Sequence, residues 1–256
     1  MVGRLKVSLA LSGGAARGAF HLGAIEAMQE LGISIEAISG TSIGSVVAVG
    51  FGCGLSPKEM LHFFKSKEFQ KIISFNYFQR GLLRIDENAP ILKAFAPIEN
   101  LEDLNISIFL TCTDLLSGEI VRFNRGKTIP LAIASSALIP LFKPIRYGEH
   151  LLIDGGFMDN LPISPLEDFS YPIVSVDLHP LLPSGERNFF TLYKRSLFLS
   201  FIASSQAQKA KSALYITSQK LPSFGLFGFG ELDKCFKLGY DTAHEKALTF
   251  LSQKML

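Results

Sequence analysis

The chain contains 256 residues, 48% of them hydrophobic, and carries a formal net charge of +2. This length suffices for the core of one α/β domain, so we expect a single domain over residues 1–256. The small net charge argues against a nucleic-acid partner, although it permits weak attraction to an anionic membrane. Three cysteines without a Cys-x-x-Cys pair predict neither a disulfide framework nor a metal site, which suits a reducing compartment. We therefore expect a cytoplasmic protein with no metal and no cofactor, in transient contact with a membrane surface at most.

The first predicted element is a short strand in the apolar run from Leu5 to Ala10, followed by a glycine-rich loop, Leu-Ser-Gly-Gly-Ala-Ala-Arg-Gly, at residues 11–18. A helix follows the loop, because apolar residues recur at helical spacing up to Leu31 and Gly32 stands at the C-cap position. The first eleven residues have some features of a signal peptide. Cleavage there would remove the strand, so we interpret them as part of the fold.

The glycine-rich loop has the character of an anion site, since such a turn before a helix leaves several N–H groups unpaired and pointing one way. The candidate anions are a nucleotide phosphate, a dinucleotide pyrophosphate and the oxyanion of an acyl-transfer intermediate. The loop lacks the Gly-Lys-Ser/Thr ending of a P-loop, and Gly13, Ala15 and Gly18 only approximate the dinucleotide fingerprint. The acidic partner of a ribose should end the second strand, but Glu36 lies at its beginning. The oxyanion is therefore favoured.

The second strand ends at Gly-Thr-Ser-Ile-Gly, residues 40–44, and an apolar helix follows. This sequence in this context is typical of a sharp strand-to-helix turn that presents a serine hydroxyl as a nucleophile. Gly40 and Gly44 would avoid collisions where strand and helix pass each other, with Ser42 at the apex. The pentapeptide also occurs by chance as a simple capped helix start. In a parallel sheet both turns lie at the carboxyl edge, so the glycine-rich loop can supply N–H donors beside Ser42.

The rest of the chain gives weaker signals. Ser-Pro-Lys-Glu at residues 56–59 predicts a capped helix, whereas residues 68–104 are irregular and are interpreted as a variable insertion. The other predicted elements are a strand pair at about 106–123, a helix at about 129–138, strands near 150 and 173, and helices at 186–211 and 233–254. Alternating strands and helices predict a parallel sheet covered on both faces.

A run that alternates phenylalanine and glycine occupies residues 223–230. Because alternating glycine prevents a firm helix or strand, we expect a loop there. Two interpretations remain open. The loop covers an apolar pocket or touches a bilayer, or it is an ordinary packed loop or dimer contact.

Asp154 follows a short apolar run and precedes Gly155 and Gly156. Alone, Asp-Gly-Gly favours a plain turn. Together with the loop at 13–18, Gly-Thr-Ser-Ile-Gly at 40–44 and Ala-Ser-Ser-Ala-Leu-Ile-Pro at 134–140, however, it resembles the ordered motifs of the patatin-like phospholipase family. Asn-Leu-Pro at 160–162 and the hairpin-like segment at 113–119 are also similar to family segments. The resemblance covers about residues 6–177, followed by a C-terminal helical part at about 186–256. It implies a three-layer α/β/α fold with a mostly parallel central sheet.

The resemblance further implies a serine acyl hydrolase, a phospholipase A or lipid acyl esterase, that acts on a lipid or phospholipid ester. Ser42 would be the nucleophile and Asp154 the general base of a dyad without histidine, and Gly13, Gly14 and Ala15 would form the oxyanion hole. The residues expected to support these motifs are Arg17, Gly18, Gly40, Gly44, Gly155 and Gly156. A catalytically silent lipid-binding or protein-interaction module on the same fold is the alternative.

Three residues carry open questions. Ala15 stands where the family usually has glycine, and its methyl group would disturb a donor if φ is positive there. Arg17 either pairs near the loop or contacts an anionic head group. Of the five histidines, His179 is the only plausible member of a triad, but its place in a loop before Pro180 favours an ordinary loop residue. A dyad favours a desolvated aspartate, because a carboxylate with the usual pKa of about 3.9 is a poor base.

Overall fold

The computed structural model describes residues 5–75, 83–181, 188–226 and 228–254. The strands, numbered in chain order, are β1 (Lys6–Leu11), β2 (Ser34–Thr41), β3 (Ile73–Phe75), β4 (Leu83–Ile85), β5 (Ser107–Asp114), β6 (Ile120–Phe123), β7 (Ile145–Tyr147), β8 (His150–Asp154), β9 (Ile173–Val176) and β10 (Leu214–Ile216). The α-helices are α1 (Gly18–Glu30), α2 (Ile43–Gly52), α3 (Pro57–Lys65), α4 (Lys67–Lys71), α5 (Pro90–Phe95), α6 (Thr128–Ser135), α7 (Phe189–Lys209) and α8 (Leu232–Lys254).

The central sheet has eight strands in the order β10-β9-β1-β2-β5-β8-β7, with β6 also paired to β5. Strands β10, β9, β1, β2 and β5 run parallel to one another, whereas β6, β7 and β8 join by antiparallel pairing. The predicted mostly parallel sheet with flanking helices is thus confirmed. The short strand β10 and the small antiparallel sheet of β3 and β4 were not predicted.

The two faces of the sheet bury different partners, because successive side chains of a strand point to opposite faces. Leu9 and Leu11 of β1 belong to the larger apolar cluster, which includes α1 and α2. Ala10 belongs to a second cluster with Leu161 and Ile163, from the segment after β8. Both faces of the central strands are therefore buried.

Helix α1 is buried around most of its circumference because α8 packs against its outer side. Two glycines permit this contact. A Cβ atom on Gly23 would overlap the backbone of Phe236, and one on Gly239 would overlap the backbone of Phe20. The predicted C-terminal helix thus covers the first helix and also contacts the end of the glycine-rich loop.

The described part of the irregular segment at 68–104 contains most of α4, all of α5 and the antiparallel pair of β3 and β4. Among the described residues, no helix combines the length and apolar character needed to cross a bilayer.

Candidate active site

Ser42 stands alone between the end of β2 and the start of α2. Its backbone has φ 55° and ψ −123°, a left-handed conformation that is strained for any residue with a Cβ atom. The turn is possible because its neighbours are glycines. A Cβ atom on Gly40 would lie 2.5 Å from the Gly44 carbonyl carbon, and one on Gly44 would overlap the Leu11 carbonyl. The side chain of Ser42 is therefore held at the apex of a sharp turn.

Ser135, at the end of α6, secures this turn from the side. Its Oγ accepts a hydrogen bond from the Ser42 N–H at 3.0 Å and donates one to the Thr111 carbonyl at 2.6 Å. It also lies 2.8 Å from Oγ of Ser45, which donates to the Gly40 carbonyl. Sequence reasoning placed Ser135 in a family-like segment but missed this positioning role.

Asp154 ends β8 and reaches the same place from another strand. In the register of the sheet, Cys112 of β5 pairs with Asp154, one residue beyond the pairing of Thr111 with Thr41. The carboxyl group is 4% exposed and accepts the Gly156 N–H at 2.8 Å. Burial raises the pKa of Asp154 to about 6, although the hydrogen bonds from Gly156 and the Ser42 side chain act in the opposite direction. The structure therefore brings Ser42 and Asp154 together.

Gly155 and Gly156 are required by close packing after this aspartate. A Cβ atom on Gly155 would overlap the Thr111 carbonyl, and one on Gly156 would lie 3.0 Å from Oδ1 of Asp154. Larger residues at either position would move the carboxylate.

The glycine-rich loop lies beside Ser42, since a Cβ atom on Gly13 would be 3.1 Å from the Ser42 Cβ. The N–H of Gly13 is already used, because it donates to Oδ1 of Asn160 at 3.2 Å and approaches its carbonyl at 3.3 Å. Among the described residues, by contrast, the N–H groups of Gly14 and Ala15 have no acceptor. Of the three residues predicted to form the oxyanion hole, these two therefore have amides available for a ligand.

Ala15 has a φ of 50°, the left-handed conformation that the sequence analysis identified as the unfavourable case. Gly14 is restricted for a different reason, because a Cβ atom there would lie 2.6 Å from Cδ1 of Leu178. At the start of α1, a Cβ atom on Gly18 would overlap Ile43. The loop is thus closely packed between the first turn of α2 and the residues that follow β9.

Asn160 connects the loop to α7. Its side-chain amide donates to Oγ of Ser205 at 3.1 Å while its oxygen accepts from Gly13, and its N–H donates to Oγ of Ser204. Asn160 is a positioning residue that sequence reasoning missed. The only signal was its place in the family-like Asn-Leu-Pro segment.

Arg17 links the glycine-rich loop to two neighbouring segments by hydrogen bonds. Its Nε donates to the Phe224 carbonyl at 3.0 Å and its Nη1 to the Leu178 carbonyl at 3.4 Å, while the neighbouring Ala16 N–H donates to the Leu226 carbonyl at 2.8 Å. These bonds favour the structural interpretation of Arg17. They also tie the phenylalanine-glycine segment, apart from Phe227, which lies outside the described residues, to the glycine-rich loop.

His179 is 5% exposed and lies next to Asn160, with Nδ1 3.4 Å from the Asn160 amide nitrogen. Burial, together with the smaller effects of the nearby Arg17 and His21, lowers the pKa of His179 to about 3, so the ring is neutral near pH 7. Among the described residues, no hydrogen bond joins His179 to Ser42 or to Asp154. The geometry therefore does not form a Ser-His-Asp triad.

Ser42, Asp154, Gly14 and Ala15 share one cavity of about 810 Å³. Its walls are predominantly apolar and come from four parts of the chain. They include Val46 and Val49 of α2, Phe64, Phe69 and Phe95 of the α3–α5 region, Phe198 and Phe201 of α7, and Leu226 and Phe229 of the phenylalanine-glycine segment. The site therefore combines a serine hydroxyl, a carboxylate and free N–H groups with space for a large apolar ligand.

Comparison with known proteins agrees with this arrangement. The family model described as patatin-like phospholipase matches residues 9–167. An uncharacterized NTE family protein of Mycobacterium bovis is 34% identical over 165 residues, which cover 63% of this chain and 45% of the relative. A protein of Meyerozyma guilliermondii named lysophospholipase NTE1 is 26% identical over 278 residues, covering 93% of this chain and 19% of the relative. The chain thus spans less than half the length of these curated relatives.

Two solved structures share the fold. VipD from Legionella pneumophila superposes with a TM-score of 0.55 at 15% identity, covering 98% of this chain and 67% of that one. The type III effector ExoU, from Pseudomonas aeruginosa, gives a TM-score of 0.50 at 14% identity, covering 96% and 53%. The family model matches more than half of the sequence, and its range contains Ser42 at the sharp turn, the glycine-rich loop and Asp154. The chain belongs to the patatin-like phospholipase family.

Proposed function

We propose that this chain is a serine acyl hydrolase that cleaves an acyl ester of a lipid through a Ser42–Asp154 dyad. The observation that carries the proposal is the meeting of Ser42, a buried carboxylate and the unpaired N–H groups of Gly14 and Ala15 in one apolar cavity. Nucleophile, base and oxyanion donors are the three components that acyl transfer needs.

In the first half of the reaction, the Ser42 hydroxyl adds to the ester carbonyl carbon and its proton passes to Asp154. The carbonyl electron pair moves to the oxygen, which accepts hydrogen bonds from Gly14 and Ala15. Collapse of this intermediate expels the alcohol, which takes the proton from Asp154, and leaves an acyl-enzyme on Ser42. In the second half, water adds to the acyl-enzyme and gives a proton to Asp154. The second collapse releases the fatty acid and returns the proton to Ser42.

The raised pKa of Asp154 supports its role as the base. A carboxylate with a pKa of about 6 holds a proton more strongly than an ordinary aspartate, yet it remains ionised at pH 7. The hydrogen bond from the Gly156 N–H holds the Asp154 carboxylate in place beside Ser42.

The apolar cavity supports a lipid as the substrate, since its aromatic and aliphatic walls match an acyl chain and offer little to a polar one. A relative bears the name lysophospholipase, and on that basis we propose a monoacyl phospholipid as the first substrate to test. Delivery from a membrane surface by transient contact is part of the same proposal.

The test is mass spectrometry of the fatty acid released from 1-palmitoyl lysophosphatidylcholine and from dipalmitoyl phosphatidylcholine. Wild type and Ser56→Ala, a serine in the exposed cap of α3, should release palmitate, whereas Ser42→Ala should lower the rate by about 10³-fold or more. A folded Ser42→Ala that retains the wild-type rate would place the nucleophile elsewhere. A wild-type protein that binds these lipids without cleaving any ester would instead support the silent lipid-binding module.

A companion comparison addresses the dyad. Asp154→Asn should be nearly as damaging as Ser42→Ala, because residues that act as a unit lose function together, whereas His179→Ala should retain most of kcat. Equal losses in His179→Ala and Asp154→Asn, at unchanged fold, would indicate a triad.

A further inference from the structure

We propose that acyl chains lie along α2 in a groove whose far end is the aromatic cluster Phe64, Phe69 and Phe95, and that this cluster sets the preferred acyl length. The inference rests on the proposed function, because the groove is measured from Ser42. It assigns a role to the irregular segment 68–104, which the catalytic residues leave unexplained.

Helix α2 provides the floor of the groove. Ser42 is its N-cap, and Val46 and Val49 line the same cavity. Residues four and seven positions apart lie on one helical face, so these side chains form a line that leads away from the nucleophile. At a rise of 1.5 Å per residue, Val46 lies about 6 Å and Val49 about 10 Å along the axis from Ser42.

The far end is aromatic and closely packed. Phe64 is 3% exposed and Phe95 is 2% exposed, and both line the cavity. The ring centroids of Phe64 and Phe69 are 5.3 Å apart, and those of Phe69 and Phe95 are 5.6 Å apart. A Cβ atom on Gly50, the residue after Val49, would lie 2.7 Å from Cζ of Phe95. The cluster therefore meets α2 just beyond Val49.

These positions give a scale for acyl length. An extended chain advances about 3.6 Å per three bonds, or about 1.2 Å per carbon. An acyl chain attached at Ser42 would thus reach Val46 at about its fifth carbon and the aromatic cluster at about its ninth. Longer chains have to bend or pass the phenylalanine rings.

The decisive variants place a phenylalanine at Val46 or at Val49, where it would fill the groove. Hydrolysis rates are measured for p-nitrophenyl esters of 2 to 16 carbons. Each rate is then divided by the rate of the same variant on the acetyl ester. Val46→Phe should reduce this ratio at least tenfold for chains beyond about five carbons, and Val49→Phe only beyond about nine. Val121→Phe, a half-exposed valine on β6 outside the cavity, should reproduce the wild-type profile. Phe95→Ala should move the longest well-accepted ester to greater length.

A binding experiment separates this inference from the proposed function. In the Ser42→Ala background, calorimetry with fatty acids of 4 to 12 carbons should show affinity rising up to about fourfold per added methylene, because each buried methylene adds apolar contact. With Val46→Phe the affinity should stop increasing at a chain length near five carbons, and with Val49→Phe it should stop near nine. If this pattern holds in a protein whose wild type cleaves no ester, the proposed function fails and the groove stands.

The opposite result is equally clear. Hydrolysis with the same length profile in wild type, Val46→Phe and Val49→Phe, or a cut-off at one common length, would overturn the groove and leave the proposed function intact. Thermal melting of each variant checks folding. If Val49→Phe does not fold, the more adaptable Val49→Met makes the same comparison.

Discussion

At the residue scale, the ionisation of Asp154 connects structure to activity. Burial in the cavity wall raises the pKa of this carboxyl to about 6, and only the ionised form can take the Ser42 proton. The position of Asp154 at the end of β8 buries its carboxyl group, and this burial makes the carboxylate a stronger base than an exposed aspartate.

The expected pH dependence follows from that pKa. The kcat/KM for a short ester should rise with pH through about 6 and level off above it, because the fraction of ionised Asp154 in the free enzyme rises in that range. Initial rates between pH 4.5 and 9 provide the check. A midpoint near 4, typical of an exposed aspartate, would argue against a buried base.

Asp154 should also lower stability above pH 6. Its pKa in the folded chain lies above its ordinary value of 3.8, so between about pH 4 and 6 the unfolded chain loses a proton that the folded chain retains. Folding stability therefore falls as pH rises through this window, by roughly 2–3 kcal/mol in total. Asp154→Asn should unfold at higher denaturant concentration than wild type at pH 8 and at nearly the same concentration at pH 4. A variant less stable than wild type at pH 8 would show that the contacts of the carboxylate outweigh its burial cost.

At the element scale, neighbouring residues hold the glycine-rich loop in place and leave two of its N–H groups unpaired among the described residues. The Gly13 N–H donates a hydrogen bond to Asn160, and Arg17 donates one to the Phe224 carbonyl. The N–H groups of Gly14 and Ala15 remain for a ligand. The loop is thus a rigid connection between β1 and α1 with two donors to offer.

Gly14→Val tests this role. The new side chain would clash with Leu178 and displace the adjoining donors, so kcat should fall by about 10²–10³, the usual effect of losing an oxyanion donor. Gly32→Val is the matched control, since Gly32 also has a positive φ, with no atom within 4 Å of an added Cβ. It should lower the melting temperature without lowering kcat. If Gly14→Val kept the wild-type kcat, or lost activity only by unfolding, the loop would not be the oxyanion hole.

Ala15→Gly should be tolerated and should modestly stabilise the protein. An alanine at φ 50° carries about 1–2 kcal/mol of strain, of which glycine relieves most, at a cost of about 0.5–1 kcal/mol in unfolded-state entropy. Melting curves and steady-state kinetics on bulky and small esters measure both effects, and we expect activity on bulky esters to be unchanged or higher. A large loss of kcat would mean that the methyl group itself holds the donors in position.

The limits of sequence reasoning follow from the range of the interactions. The sharp turn at Ser42, the glycine-rich loop and Asp154 could be recognised because glycine, serine and aspartate at short fixed spacing reflect local backbone requirements. Their proximity could be expected because turns at the carboxyl edge of a parallel sheet lie close together. The bond from Gly13 to Asn160 joins residues 147 positions apart, and the bond from Ser42 to Ser135 joins residues 93 apart. Such partners leave no periodic pattern. The three-residue strand β10 was likewise too short to stand out.

At the scale of the whole molecule, the topology places five chain segments around one cavity. Strands β9, β1, β2 and β5 are consecutive neighbours, so the turns after β1 and β2 lie side by side. Strand β8 pairs antiparallel to β5 and delivers Asp154 to the same edge. Helix α7 and the phenylalanine-glycine segment then close the apolar walls. A serine hydroxyl, a buried carboxylate and a large apolar cavity therefore meet at one edge of the sheet.

The most direct test of the Ser42 nucleophile is mass spectrometry of intact protein treated with a fluorophosphonate, followed by peptide mapping. The hydroxyl at the strained apex, beside a basic carboxylate, should take one adduct per chain, and the adduct should map to Ser42. Folded Ser42→Ala should take none, and Asp154→Asn should react much more slowly. An adduct on another residue, or equal labelling of wild type and folded Ser42→Ala, would contradict the assignment of Ser42 as the nucleophile.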